Sequence, residues 1–232
     1  MPEQNIDQKA TGITKRRYDR IAPFYDLMES LMEHLLFRKW RDIVWQTVDS
    51  AREILEIGVG TGKNIAYYPN DAKITAIDLS DRMLVLARKR TEMANIINVD
   101  LLQMDAQALA FPDESFDAVV ATFVYCSVPD PVLSMREINR VLRPDGKAVF
   151  LEHMYPENPP MGRIFDLLNP LVVRLWGANI NRHTLANIQK AGLEIQMAKN
   201  LTFYGIFRLI IARPGKETAE PETRNEYEIS FT

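Results

Sequence analysis

Glu53-Ile-Leu-Glu-Ile-Gly-Val-Gly-Thr-Gly62 is the stretch on which the fold turns. Residues 53–57 make a short apolar run that predicts a strand, Gly58, Gly60 and Gly62 then bend the chain sharply, and a short helix to Pro69 follows. A turn in that place needs residues without a Cβ wherever a ligand is to lie against the backbone. Strand, glycine turn and helix form the first unit of an alternating α/β arrangement.

Toward the C-terminus the alternation continues. Lys73 to Ile77 predicts a second strand ending at Asp78, and Ser80 is placed to N-cap a helix carrying Met83, Leu84, Leu86 and Ala87. Val99 to Gln103 predicts a third strand ending near Asp105. Phe116 to Ala121 predicts a fourth, followed by Asp130 as N-cap and Pro131 at the first position of a helix through Leu142. The turn Pro144-Asp145-Gly146 leads to a fifth strand, Lys147 to Leu151. A helix over 184–190 stops at Gly192, and strand-like runs at 193–198 and 204–212 close the domain. This cadence predicts a doubly wound α/β fold with seven strands and right-handed crossovers.

Toward the N-terminus, apolar residues from Tyr18 to Trp45 recur at helical spacing, with Pro23 placed near a helix start. Residues 14–48 therefore read as a helical cap and 1–13 as a flexible N-terminus. Residues 154–179 read as an inserted apolar lid, the domain runs from 14 to 213, and 214–232 reads as a disordered acidic tail.

The chain of 232 residues, 47% hydrophobic and 25% charged, suits one such domain. A net charge of −3 argues against nucleic acid as a partner, which requires a concentrated basic surface. The single cysteine, Cys126, excludes a disulfide framework and cysteine-rich zinc sites, and three scattered histidines give no metal site. The N-terminus lacks the order of a signal peptide, and no run of roughly 18 apolar residues occurs. The expectation is a cytoplasmic protein, soluble or peripheral to the inner face of the membrane.

Asp78 lies 22 positions beyond Glu56, where a carboxylate can accept both hydroxyls of an adenosine ribose. Nicotinamide dinucleotides and S-adenosylmethionine (SAM) share that logic. Dinucleotide sites space their glycines GxGxxG and set a pyrophosphate on a helix N-terminus. The GxGxG spacing here, preceded by the Glu56 carboxylate, suits a ligand with an ammonium group and no phosphate. Asp105-Ala106 adds an acceptor for an adenine amino group beside a residue small enough to admit the ring.

At Leu55–Asn64, Ile77-Asp-Leu-Ser80, Met104-Asp-Ala106, Phe111–Asp117 and Arg140-Val-Leu-Arg-Pro-Asp-Gly146 the chain resembles the class I SAM-dependent methyltransferases. The subgroup it most resembles holds the ubiquinone/menaquinone-biosynthesis and bacterial phospholipid N-methyltransferases. The resemblance implies a Rossmann-like sheet, SAM as cofactor and S-adenosylhomocysteine as product. It implies that Gly58, Gly60 and Thr61 contact the methionine and ribose portion, with Glu56 before them. Asp78 would hold the ribose, Leu79 and Met83 the adenine face, Asp105 and Ala106 the adenine, and Thr122 the methionine moiety. Tyr18 and Tyr25 read as a lid over the cofactor or as packing of the cap. Asp145 departs from the family's commoner glycine, at a surface turn.

Methyl transfer from a sulfonium is an in-line displacement that needs a base only if the acceptor must lose a proton. His153, Tyr125 and Asp26 are the candidate bases. His153, whose ordinary pKa of about 6.5 suits proton exchange, also reads as a structural histidine. Cys126 reads as packing, and His34 and His183 as solvated. The apolar segments 18–45 and 154–179 suggest a hydrophobic or lipid-like acceptor, with a phospholipid head-group amine first. Quinone-precursor C-methylation and thiol or small-molecule methylation are the alternatives. Arsenite methylation, which relies on several cysteines, is excluded, and a non-enzymatic SAM-binding regulatory domain is the remaining class. Arg16, Arg17 and Arg20, with Arg38, Lys39 and Arg41, suggest peripheral contact with an anionic membrane.

Overall fold

The computed structural model describes residues 6–175 and 177–215. Of the acidic tail expected at 214–232, the part from 216 onward lies outside the described residues, as do residues 1–5 of the N-terminus.

Helix α1 (Gln8–Met32), a π-helical turn (Glu33–Phe37) and α2 (Arg38–Thr47) follow one another without a break. The helix starts at Gln8, not near Pro23, so residues 8–13 of the stretch expected to be flexible are helical. The reason is local: the Asp7 carboxylate accepts from the Ala10 amide at 2.9 Å and caps the first turn. Pro23 stands inside the helix. It cannot donate to the Asp19 carbonyl four residues back, and the Arg82 guanidinium approaches that carbonyl at 3.4 Å instead.

The strands are β1 (Glu53–Ile57), β2 (Lys73–Asp78), β3 (Val99–Gln103), β4 (Phe116–Thr122), β5 (Leu142–His153), β6 (Leu193–Asn200) and β7 (Phe207–Pro214). They form one sheet in the order β3-β2-β1-β4-β5-β7-β6. Neighbours from β3 to β5 are parallel, and β7 runs antiparallel to both β5 and β6. This is the expected seven-stranded, Rossmann-like sheet.

Two local expectations are corrected. The Pro144-Asp145-Gly146 turn is a bulge inside a longer β5: Leu142 already pairs with Phe116, and pairing resumes at Lys147 opposite Ala118. Gly146 is required there, because a Cβ would lie 2.9 Å from the Arg143 carbonyl oxygen and 3.0 Å from that of Asp117. After the glycine turn the chain makes only a 3-10 turn, Ile65–Tyr67, since Pro69 ends it at once.

Alternation along each strand divides the core between the two faces of the sheet. Leu55, Val119 and Phe150 pack on one face, beneath α4 (Pro131–Val141) and α6 (Thr184–Lys190). Ile54, Val120 and Val149 pack on the other with Trp40, Val44 and Trp45 of α2 and with α3 (Asp81–Met93). Ser80 caps α3 by accepting from Met83 at 3.2 Å, and Asp130 caps α4 by accepting from Leu133 at 2.9 Å. Helix α5 (Pro159–Leu175) occupies the insert.

Candidate active site

The C-terminal ends of β1 to β4 converge on a cleft lined by Ile57, Asp78, Asp105 and Thr122 at the strand ends and covered by α1. Open α/β sheets bind ligands at this edge. Gly58 and Gly60 form its floor with φ of +70° and +55°, a region that favours glycine. A Cβ on Gly58 would approach a Val124 methyl to 2.5 Å, whereas one on Gly60 would meet only the Gly58 carbonyl oxygen, at 4.0 Å.

Asp78 ends β2 in the cleft wall and is held by backbone donors, accepting from Gly60 at 2.9 Å and from Ser80 at 2.8 Å. Burial pushes this carboxyl up to about 6, against the hydrogen bonds that lower it, and neighbouring Asp19 adds to the rise. Leu79 and Met83 flank it. Asp105 and Ala106 line the far end, where Asp105 accepts from the Gln107 amide at 2.9 Å and from the Thr11 hydroxyl at 3.3 Å.

Helix α1 covers the cleft with Thr14, Lys15, Tyr18 and Tyr25, the two tyrosine rings 6.4 Å apart. Asp19 pins this helix to the α3 cap by accepting from the Ser80 hydroxyl at 2.6 Å, and Lys15 pairs with Asp81 at 2.6 Å. Thr14 and Lys15 were not among the expected site residues. Their signal was present: positions 11, 14, 15, 18, 22 and 25 form one helical stripe, visible only if the helix is extended past Tyr18 toward the N-terminus. No described residue of 154–179, the expected lid, lines the cleft; the cover comes from α1.

Five expected site residues stand outside the cleft wall. Glu56 is buried beneath the glycine turn, where it accepts from Asn64 at 2.6 Å and from the Tyr68 hydroxyl; burial raises it to about 7. Thr61 is buried and donates to Asp26 at 2.7 Å. Asp26 pairs with Arg90 at 2.6 Å; although burial raises its pKa, the Thr61 hydroxyl and Arg90 lower it further, and it stays below the ordinary carboxyl value, unsuited to act as a base. Tyr125 is a core residue beside the Ser134 hydroxyl at 3.1 Å, and burial drives its pKa upward. His153 packs its ring 6.2 Å from that of Phe207, and burial lowers it to about 4. Alternate strand positions face opposite ways, and the antiparallel partner β7 brings Phe207 over this histidine.

Thr122 ends β4 in the cleft wall, and Phe123 follows with a φ of 59°, a strained conformation for a bulky side chain. Its backbone is held by the Leu151 carbonyl at 2.8 Å, and its ring stacks 4.4 Å from Phe37 with the Arg41 guanidinium 5.3 Å away. Buried Glu152 fixes the next two residues, accepting from Val124 at 2.9 Å and Tyr125 at 3.2 Å. The cleft thus joins hydrogen-bonding groups along one side to an aromatic, apolar wall at the other.

A methyltransferase domain family matches residues 55–150. The phosphatidylethanolamine N-methyltransferase of Cereibacter sphaeroides is 40% identical over 112 residues, 48% of this chain and 55% of that one, so the chain spans about half of that relative's length. The ubiquinone/menaquinone biosynthesis C-methyltransferase of Shewanella woodyi is 31% identical over 186 residues, 76% of this chain and 72% of that one. A SAM-dependent methyltransferase structure from Methanosarcina mazei shares the fold, with a TM-score of 0.57 at 24% identity over 71% of this chain and 93% of that one.

Proposed function

Because this chain belongs to the SAM-dependent methyltransferases, with SAM as its cofactor, we propose that it methylates a lipid-borne acceptor, the amine of a phospholipid head group. The residues present fit the cofactor. Gly58 and Gly60 leave backbone exposed for the methionine portion, Asp78 accepts from the ribose hydroxyls, and Asp105 and Ala106 take the adenine between Leu79 and Met83. Tyr18 and Tyr25 close over it. SAM supplies an electrophilic methyl group, and the chain supplies alignment.

The observation that carries the acceptor reading is a pair of exposed apolar stripes, one on α5 and one on the helix that covers the cleft. Ile164, Leu167, Leu168 and Leu171 are exposed at one-face spacing on α5, as are Phe24, Leu27 and Leu35 along α1 and its π turn. Leu27 is 75% and Leu167 80% exposed. Exposed Arg16, Arg20, Arg38, Lys39, Arg163 and Arg174 accompany them, which suits an anionic lipid surface; each basic residue near such a surface contributes about 1 kcal/mol. Gly177, just beyond α5, abuts the Arg17 side chain of α1. No helix among the described residues is long and apolar enough to cross a membrane, and the reading is of surface contact.

An amine attacks only when neutral, and an apolar wall favours that form by lowering the ammonium pKa. With His153, Tyr125 and Asp26 outside the cleft, the proton leaves to water as the head group enters. The relative from Shewanella woodyi favours a second reading, C-methylation of a quinone precursor. Incubating the protein with methyl-labelled SAM separates them. One arm offers vesicles of phosphatidylethanolamine and phosphatidylglycerol, the other detergent-dispersed demethylmenaquinol. Label in the phospholipid supports the amine reading. Label in the quinol alone transfers the assignment to the quinone class, and label in neither rejects a hydrophobic acceptor of these two kinds.

A further inference from the structure

We infer that the tip of the β6–β7 hairpin, Phe203 and Tyr204, inserts into the head-group layer of an anionic bilayer at the cleft edge of the sheet. The inference rests on the lipid reading of the function and gives it a specific point of contact.

Strand pairing places the tip. His153, the last residue of β5, lies opposite Phe207 of β7, and Asn200 of β6 lies opposite Arg208. The hairpin therefore turns at the C-terminal end of β5, and the parallel pairing of Thr122 with Leu151 puts the cleft at that same edge. At the foot of the tip, the Phe207 ring packs 6.0 Å from the ring of Phe123, which lines the cleft.

Hydrogen bonds hold the tip in one conformation. The Leu201 amide donates to the Phe207 carbonyl at 2.9 Å, and the Phe207 amide donates to the Thr202 hydroxyl at 3.1 Å. From the neighbouring segment, the Met154 amide donates to the Ile206 carbonyl at 2.8 Å and the Glu157 amide to the Tyr204 carbonyl at 2.9 Å. Buried Arg208 donates to the Gly205 carbonyl at 3.1 Å and pairs with Glu157 at 2.5 Å. Glu157 stands two residues before Pro159, the first residue of α5, so the tip is tied to the start of the helix that carries Ile164, Leu167, Leu168 and Leu171.

None of these bonds needs an aromatic side chain. Tyr204 has a φ of 60°, where glycine or asparagine is locally favoured, and Phe203 is 89% exposed. Turn chemistry would place small polar residues here, and a ring held out in water contributes nothing to the core. A bilayer accounts for both rings: its head-group layer takes an apolar ring beside an amphipathic one and demands no matching shape from what enters it. Charge points to the same partner. Residues 154–175 and 199–208 carry Arg163, Arg174, Lys199 and Arg208 against Glu157 and Asp166, a positive balance that suits an anionic leaflet.

The test is binding to vesicles of phosphatidylethanolamine and phosphatidylglycerol by co-sedimentation, with wild type, Phe203→Asp, Tyr204→Gly and Leu167→Asp. Phe203→Asp should bind about 10-fold more weakly, the loss expected when one aromatic side chain no longer leaves water. Tyr204→Gly should also bind more weakly while its melting temperature does not fall, because glycine accepts the left-handed backbone. In Phe203→Trp, brominated lipid should quench fluorescence beyond the wild-type background. Wild-type affinity in Phe203→Asp overturns the inference, as does a tryptophan at that position quenched no more than the background. If Leu167→Asp is weakened in the same assay, the lipid reading stands without the hairpin. If the wild type itself stays off the vesicles, the lipid reading falls and the inference falls with it.

Discussion

Protonation of Asp78 should set the pH dependence of cofactor binding. Ribose hydroxyls donate to this carboxylate, so binding selects its ionised form. In the free protein burial raises the group to about 6, with Asp19 contributing and the Gly60 and Ser80 amides opposing. Below that value the free protein holds a proton that the complex must release. The expected penalty is a factor of about 1 + 10^(6 − pH): roughly 11 at pH 5 and close to 1 at pH 7, or about 1.4 kcal/mol between them. Asp78 is open to the cleft on one side, and water entering the mouth lessens the effect, so tenfold is the upper figure.

Calorimetric titration with S-adenosylhomocysteine at pH 5, 6 and 7 measures it. Wild-type affinity should rise with pH across this window. Asp78→Asn should bind more weakly at pH 7 and show a flat profile, because an amide keeps one acceptor and has no proton to lose. Glu56, raised to about 7, also titrates near the glycine turn. Any slope it contributes persists in the Asn variant and is removed by subtraction. A wild-type profile as flat as that of the variant, or a variant with the same slope, would refute the assignment of Asp78 as the group whose ionisation controls binding.

Glu152 is raised by burial from 4.5 to about 8, so the folded chain keeps a proton that the unfolded chain releases above pH 4.5. Stability from this group is full below pH 4.5 and lost as pH rises through 8; Glu152→Gln should gain melting temperature on the wild type between pH 6 and 9, and parallel curves would contradict this. His153, lowered to about 4, is neutral throughout the physiological range, and His153→Asn should leave the pH dependence of turnover unchanged. Leu27→Asp and Leu167→Asp should each release the protein from anionic vesicles in a co-sedimentation assay at low salt, with S-adenosylhomocysteine affinity intact; if neither changes binding to vesicles, the apolar stripes do not meet lipid.

Legibility in the sequence followed the range of the forces involved. Strands such as Ala118 to Ala121 read clearly because a parallel sheet covered on both faces demands an unbroken apolar run. The β5 bulge did not, since Pro144-Asp145-Gly146 bends the chain equally well at a turn or in the middle of a strand. Only the pairing of Leu142 with Phe116, across the sheet, decides between them. The start of α1 was hidden by Pro23: the preference of proline for a first turn is a local rule, and it yielded to the Asp7 cap and a tertiary donor to the freed carbonyl of Asp19.

The same distinction separates the residues of the site. Gly58, Gly60, Asp78 and Asp105 stand at strand ends, so topology alone carries them to the ligand edge. The residues expected to move protons were chosen by chemical type, and type does not say which way a side chain faces. Glu56 is the sharpest case. It occupies the strand end immediately before the glycines, yet Asn64, Tyr68 and Arg41, at sequence distances no local rule connects, draw its carboxylate behind the wall. Burying it there costs desolvation, visible as its rise to about 7, and the hydrogen bonds offset that cost.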